Sequence, residues 1–456
     1  MTSKNLPLIL VVIACIALTI FIFQPGYLNA DAVDQLGQAR SGQYSDWHPP
    51  VMSWVWSLLD KIAPGALGMF ILQVILFWSG LGLLAAFVTP KPLNQILIVL
   101  LGFYPPLFML LSAVIKDILM AASFLIGFAI LLWSGRLRSL PLFFLSLFLI
   151  MFGMLTRHNA ILIAAPLFLY AGFIFMDLKP IKIARLTPLW LGLTTGAFFF
   201  ATAFLLGRAW SGSITKIESY PIQQIMVHDL TAITLRLKTD FIPDYLAASE
   251  QPSMGDLRRI YNIRSLKNLF WADFTPIHFK LLTDPAQVED LTNIWVQTVT
   301  EHPRAYLEHR WKVFAATMGI TVYKACGPYY YEETVYKPKG FYQSEGNYFS
   351  ENPVTNSLFL WIEPLRESPV YWNWPYVLFC LTLFIASLIV VFKFGFAKTP
   401  LAVAALVISA GASMYALANL FVAISCDFRY VHWNVTAALV SAVLLIFSIE
   451  KKTPTA

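Results

Sequence analysis

The stretch LPLILVVIACIALTIFIFQPGYLNADAVD, residues 6–34, decides how the chain is read. It is apolar from Leu6 to Phe23, passes Pro25-Gly26, and then meets Asp31 and Asp34. About 20 consecutive apolar residues are enough for a helix to cross the hydrocarbon layer of a membrane. The sudden return of acids marks where such a helix reaches water. Nine further stretches read the same way: 66–89, 93–113, 117–134, 139–156, 159–176, 187–206, 370–392, 399–424 and 431–449. Pro, Gly and charge mark their edges, as at Thr89-Pro90-Lys91-Pro92 and Lys179-Pro180. The expected fold class is an all-α polytopic membrane protein with about 10 transmembrane helices.

Composition points the same way. Of 456 residues, 58% are hydrophobic and 13% are charged, against about 25% charged in a soluble domain. That excludes a cytosolic enzyme, a nucleic-acid binder and a disordered chain. The net charge of +6 carries no nucleic-acid signal, because the location of the charge decides its meaning. Segment 207–369 holds 18 acidic and 16 basic residues. The remainder of the chain holds only eight acids: Asp31, Asp34, Asp46, Asp60, Asp117, Asp177, Asp427 and Glu450. Three regions follow: a membrane module over 1–206, a polar insert over 207–369, and C-terminal spans over 370–456.

Lys and Arg in the short loops set the orientation. With the N-terminus cytoplasmic, 11 of them fall inside and five outside, so both termini are expected in the cytoplasm. The first span has some look of a signal peptide, but its long apolar run and the spans that follow favour a retained anchor. All seven histidines and six of the eight rare acids then face outward. Avoidance of lipid explains why they lie outside the core, but not why the inner turns have almost none. Chemistry is expected on the outer side.

The first outer loop, 26–65, contains Asp31 and Asp34 in an amphipathic turn, then Asp46-Trp47-His48-Pro49-Pro50. A helical pattern follows over 51–62, with Trp54 and Trp56 suited to a helix lying on the membrane surface. Either Asp alone also reads as a helix N-cap. His48-Pro49-Pro50 also reads as a rigid turn with Pro at the first helical position. Lys116-Asp117 opens the fourth span, where an ionised pair is costly unless it is solvated or functional, and also reads as a salt-bridged anchor. Arg157-His158-Asn159 ends the fifth span, and Cys426-Asp427-Phe428-Arg429-Tyr430 opens the last. Either arginine also reads as a lipid-headgroup contact.

Asp after the first span, Pro-Pro, Lys-Asp, Arg-x-Asn and Arg-Tyr occur in this order and on one membrane side. In this the chain resembles the GT-C superfamily of membrane glycosyltransferases, especially bacterial enzymes related to protein mannosyltransferases and to the lipid A aminoarabinose transferase. The resemblance covers 1–206 and the last span. It implies a GT-C-like fold and an inverting glycosyltransferase that takes sugar from a polyprenyl-phosphate-linked donor to a cell-envelope acceptor, whether lipopolysaccharide, another glycan or a protein. It places the site at the outer face of the bacterial cytoplasmic membrane. It implies Asp31 as the catalytic carboxylate; many members carry a paired Asp-Glu there, so the choice between Asp31 and Asp34 stays open. Asp117 matches a second site acid. Lys116, Arg157 and Arg429 are the candidates for the donor phosphate. His48, Asn159, Tyr430 and Tyr330 are the candidates for substrate contact. No cofactor is required, and a divalent metal is not indicated. The alternatives are an O-antigen polymerase or ligase, and a lipid-linked sugar transporter or flippase.

The insert reads as mainly helical over 220–237, 254–270 and 286–319. Arg304, Arg310 and Lys312 read as a solvated helix face or as contacts to lipid headgroups. Tyr323 to Phe349 is rich in aromatic residues and reads equally as an acceptor platform or an interfacial belt. Cys326 and Cys426 both lie on the oxidising side, which leaves a disulfide between them open.

Overall fold

The computed structural model describes residues 5–180, 187–272, 274–321 and 353–450. Among these, the regular elements are helices, with only isolated β-bridges between loops. Among the described residues, eight helices are long and apolar enough to cross a membrane: Leu6–Phe23, Leu67–Val88, Lys116–Leu137, His158–Leu178, Pro188–Ile214, Asn373–Phe394, Pro400–Val422 and Phe428–Glu450. The protein is a helical polytopic membrane protein.

In chain order the first helices are α1 (Leu6–Phe23), α2 (Ala30–Ser41), α3 (Pro50–Leu59) and α4 (Leu67–Val88). The stretch 93–113, expected as one span, is broken into α5 (Pro92–Leu100), a 3-10 turn (Leu101–Phe103) and α6 (Pro105–Leu110). Pro105 and Pro106 supply no N–H, and Tyr104 before them is driven to ψ 125. The stretch 139–156 forms α8 (Leu140–Met154), which at 15 residues reaches about 22 Å, short of the ~30 Å layer.

Between them runs α7 (Lys116–Leu137), the most enclosed span, with 89% of its apolar window buried. It packs on α4 and α8, and on α9 (Ile161–Leu178). α9 crosses α10 (Pro188–Ile214) at a contact that only glycine permits. A Cβ on Gly172 would lie 2.2 Å from the Gly192 carbonyl oxygen and 2.7 Å from the Gly196 Cα. Gly192 and Gly196, spaced as G-x-x-x-G, let the two backbones meet.

The expected surface helix at 51–62 forms as α3, but Trp56 does not lie on a membrane. It is fully buried, and its Nε1 donates to the Gly65 carbonyl at 2.9 Å. A buried indole N–H needs an acceptor, and the turn after the helix supplies one. Trp54 packs edge-on against Trp210 of α10, with ring centroids 5.6 Å apart.

In the insert, α11 (Gln223–Leu237), α12 (Met254–Ile260), α13 (Lys267–Phe270) and α14 (Pro285–Glu301) surround their own apolar cluster, which includes Val227, Leu230, Leu246, Ile260 and Leu291. The continuous helix expected over 286–319 is interrupted at His302-Pro303, after which α15 (Pro303–Thr317) begins. The expected helix 254–270 is likewise split into α12 and α13. Arg310 is neither solvated nor at lipid headgroups: its side chain is fully buried and paired with Asp229 at 2.6 Å. α15 is enclosed on this side by α11 and α14, so the residue facing them must be neutralised. Lys312 does lie on an exposed face, paired with Glu308 at 2.7 Å. The aromatic region with Tyr330, and Cys326, lie outside the described residues. The chain closes with α16 (Pro353–Ile362), α17 (Asn373–Phe394), α18 (Pro400–Val422) and α19 (His432–Glu450).

Candidate functional site

Neither Asp31 nor Asp34 is spent on capping. Asn29 caps α2, its Oδ1 accepting from the Ala32 N–H at 2.9 Å. Asp31 therefore stands in the first turn with its carboxylate available, and Asp34 follows three residues later on a neighbouring face.

Backbone pairing brings this turn to α7. The Tyr27 N–H donates to the Ser112 carbonyl at 2.8 Å, and the Val114 N–H donates to the Tyr27 carbonyl at 2.8 Å. Gln73 of α4 holds the same irregular segment from beneath, donating to the carbonyls of Leu111 and Ala113 at 3.1 and 2.8 Å. Gly26 makes the approach possible. Its φ is +97°, and a Cβ there would lie 2.8 Å from Val114 Cγ2 and 2.9 Å from Phe70 Cβ.

At this end of the bundle, which carries the insert, four residues meet that are far apart in the chain. Asp31 Oδ2 lies 3.1 Å from Arg429 Nη1 and 3.8 Å from Lys116 Nζ. Asp31 Oδ1 lies 3.9 Å from His48 Nε2. Lys116 Nζ is 2.6 Å from His48 Nδ1. With Lys116 as an ammonium, which offers only donors, the imidazole accepts at Nδ1 and carries its proton on Nε2, toward Asp31. The Asp31 side chain keeps 31% of its surface exposed, so a ligand can reach it. Burial pushes its carboxyl up, but Arg429, Lys116 and His48 together outweigh that and hold it well below the usual carboxylate range. Burial, followed by the Lys116 charge, holds His48 well below the usual imidazole range.

The His48 shift has a testable sign. Unfolded imidazole titrates near about 6.5, so between pH 7 and 5 the unfolded chain takes up a proton that folded His48 refuses. Stability should fall with pH across that window. Buried His228 and His309 of the insert contribute with the same sign. Asp31, lowered instead, contributes stability that is present above about pH 4 and lost only below it. The melting temperature is therefore expected to drop from pH 7 to 5, and less steeply in His48→Gln. Identical slopes in the two proteins would rule out a buried neutral His48.

Behind Asp31 lies a second ion pair, Arg157 with Asp117. Asp117 is fully buried, and its partner is Arg157 rather than its chain neighbour Lys116. Arg157 Nε donates to Asn159 Oδ1 at 3.0 Å, which fixes the guanidinium plane. Tyr430 lies against both arginines, its ring centroid 4.7 Å from Arg157 Cζ and 5.6 Å from Arg429 Cζ. Its hydroxyl lies 2.8 Å from Ser425 Oγ.

Asp31, Asp117, Lys116, Arg157, Arg429, His48, Asn159 and Tyr430 thus gather in one place. Asp34 lies at the edge of this group, bonded to neither cation and accepting from Gln38 Nε2 at 2.7 Å. Burial, partly offset by that bond, raises its carboxyl. Tyr330 lies outside the described residues. Asp427 joins the group unforeseen: its Oδ2 is 2.8 Å from Arg429 Nε, and its Oδ1 accepts from the Arg429 N–H at 3.1 Å. Its position two residues before Arg429, as one of the rare acids, was the available signal. Among the described residues no three His, Cys, Asp or Glu side chains gather as a metal site. No family model matches the chain, and no curated protein or solved structure compared with it is similar.

Proposed function

We propose that the protein is an inverting glycosyltransferase of the bacterial cytoplasmic membrane. It moves a sugar from a polyprenyl-phosphate-linked donor to a cell-envelope acceptor, with its site facing away from the cytoplasm. The observation that carries this reading is the meeting of Arg429 and Lys116 on Asp31, at 3.1 and 3.8 Å, at the mouth of the bundle. Two cations beside one reachable carboxylate suit a reaction in which a phosphate departs and a hydroxyl loses a proton.

The chemistry runs as one displacement. The acceptor hydroxyl attacks the anomeric carbon, and its proton passes to Asp31. The bond from the anomeric carbon to the phosphate oxygen breaks, and the electron pair leaves with the polyprenyl phosphate. Lys116 and Arg429 receive the charge on that phosphate. Attack opposite the leaving group inverts the anomeric centre. Asp31 and the phosphate compete for the same two cations. Donor binding draws Arg429 and Lys116 away from Asp31 and so raises its affinity for a proton, which readies the base only when donor is present. Arg157, held by Asp117 and Asn159, backs Tyr430 and keeps positive charge near the phosphate.

Membranes containing the protein are expected to transfer labelled sugar from a polyprenyl-phosphate donor to an endogenous acceptor, with inversion. Absence of transfer, or consumption of a polyprenyl-diphosphate donor instead, would contradict the reading and favour a polymerase or ligase. Arg429→Gln is expected to weaken polyprenyl-phosphate binding about ten- to a hundredfold, the range for one hydrogen bond to a charged group. Equal affinity in wild type and variant would remove Arg429 from the phosphate site.

A further inference from the structure

Arg429 sits on a linker whose backbone is held by the insert. α18 ends at Val422, and the turn Phe428–Val431 begins six residues later, leaving 423–427 without regular structure. Irregular backbone next to a membrane needs partners for its carbonyls. Three consecutive carbonyls find them in the insert. Arg310 Nη1 donates to the Ala423 carbonyl at 2.9 Å, the Leu266 N–H donates to that of Ile424 at 3.2 Å, and Thr317 Oγ1 shares its one proton between that of Ser425 at 3.1 Å and the Val313 carbonyl of its own helix at 2.9 Å. The next N–H, that of Cys426, donates to the Arg264 carbonyl at 2.9 Å.

The residues that grip the linker are themselves fixed. Arg310 is anchored by Asp229 at 2.6 Å, and Asp229 also accepts from Trp295 Nε1 at 2.9 Å. The end of α15 is tied to the start of α17, where Asn373 Nδ2 donates to the Thr317 carbonyl at 2.7 Å and the Trp374 N–H to that of Met318 at 2.8 Å. Phe314 and Met318 pack with Val377, Ala416 and Val431 of the C-terminal spans. α15 is thus a strut from the insert core to the loop that carries Asp427, Arg429 and Tyr430.

We propose that the insert is the clamp that places Arg429 against Asp31, with Arg310 and Thr317 as its positioning residues. A chain that kept every span but lost this grip would lack a defined site. The clamp stands on the geometry alone; only the identity of what Arg429 holds rests on the donor-phosphate reading.

The test uses the full chain in nanodiscs, with Arg310→Lys, Thr317→Val and the double variant. A lysine keeps a cation for Asp229 but loses the planar fork by which Arg310 reaches Asp229 and the Ala423 carbonyl from separate nitrogens. Valine keeps the shape of Thr317 without its donor. Amide exchange over 423–431 is expected to accelerate at least about tenfold in the double variant, while α17, α18 and α19 stay as protected as in wild type. The dissociation constant for a polyprenyl phosphate should rise about tenfold. Thr317→Val alone should show the same pattern to a smaller degree, and decides the matter should the double variant unfold. Unaltered exchange over 423–431 would overturn the clamp, as would faster exchange with unaltered phosphate affinity. Wild-type protein that binds no polyprenyl phosphate would overturn the donor reading, and the exchange would still decide the clamp.

Discussion

Asp31→Asn is expected to cut sugar transfer by about a thousandfold, in the middle of the range for a general base, while donor binding stays equal or tightens. The two effects have one cause. The carboxylate removes the acceptor's proton, and it also holds Arg429 and Lys116. An amide of the same shape does neither, so the phosphate meets no competitor for its cations. Asp34→Asn is expected to cost less than about tenfold, since Asp34 is exposed and bonded to Gln38 rather than to either cation. Rates from labelled donor and affinities for polyprenyl phosphate separate these expectations. Full transfer by Asp31→Asn would remove Asp31 from the role of base, and a loss confined to Asp34→Asn would move that role to Asp34.

Arg157→Met is expected to destabilise the protein by about 3–5 kcal/mol, because it leaves a buried carboxylate without its counter-ion. Asp117 is fully buried in α7, the most enclosed span. Adding Asp117→Leu to Arg157→Met should restore most of the loss, since two apolar groups replace a pair and no charge is stranded. Thermal unfolding in detergent or nanodiscs measures both. A single variant as stable as wild type, or a double variant no better than the single, would show that the two residues do not support one another.

Much of this site is legible in the sequence because charge is expensive in a membrane protein. Once the 34 charges of 207–369 are set aside, each remaining acid needs a reason. Asp31 and Asp117 each hold a basic side chain from a distant part of the chain, and Asp427 holds Arg429 two residues on. Pairing itself is not legible. Lys116 and Asp117 are chain neighbours, yet successive residues at a helix start point in different directions, so Lys116 turns to His48 and Asp117 to Arg157. The break at 93–113 does leave a signal in Pro105-Pro106, which the apolar run conceals. Arg310 has no such signal. The helical spacing of α15 shows two faces without saying what covers each, and Asp229, 81 residues away, decides which is buried. Trp56 failed as a surface residue for the same reason: hydropathy marks a tryptophan as suited to an interface, and only the carbonyl of Gly65 determines that it is enclosed.

The most direct measurement of the central claim is a cryo-EM map of the protein in nanodiscs with a polyprenyl phosphate added. The phosphate is expected within hydrogen-bond reach of Lys116 and Arg429, with Asp31 released from Arg429. A phosphate bound elsewhere, with the contact between Asp31 and Arg429 still at 3.1 Å, would contradict it.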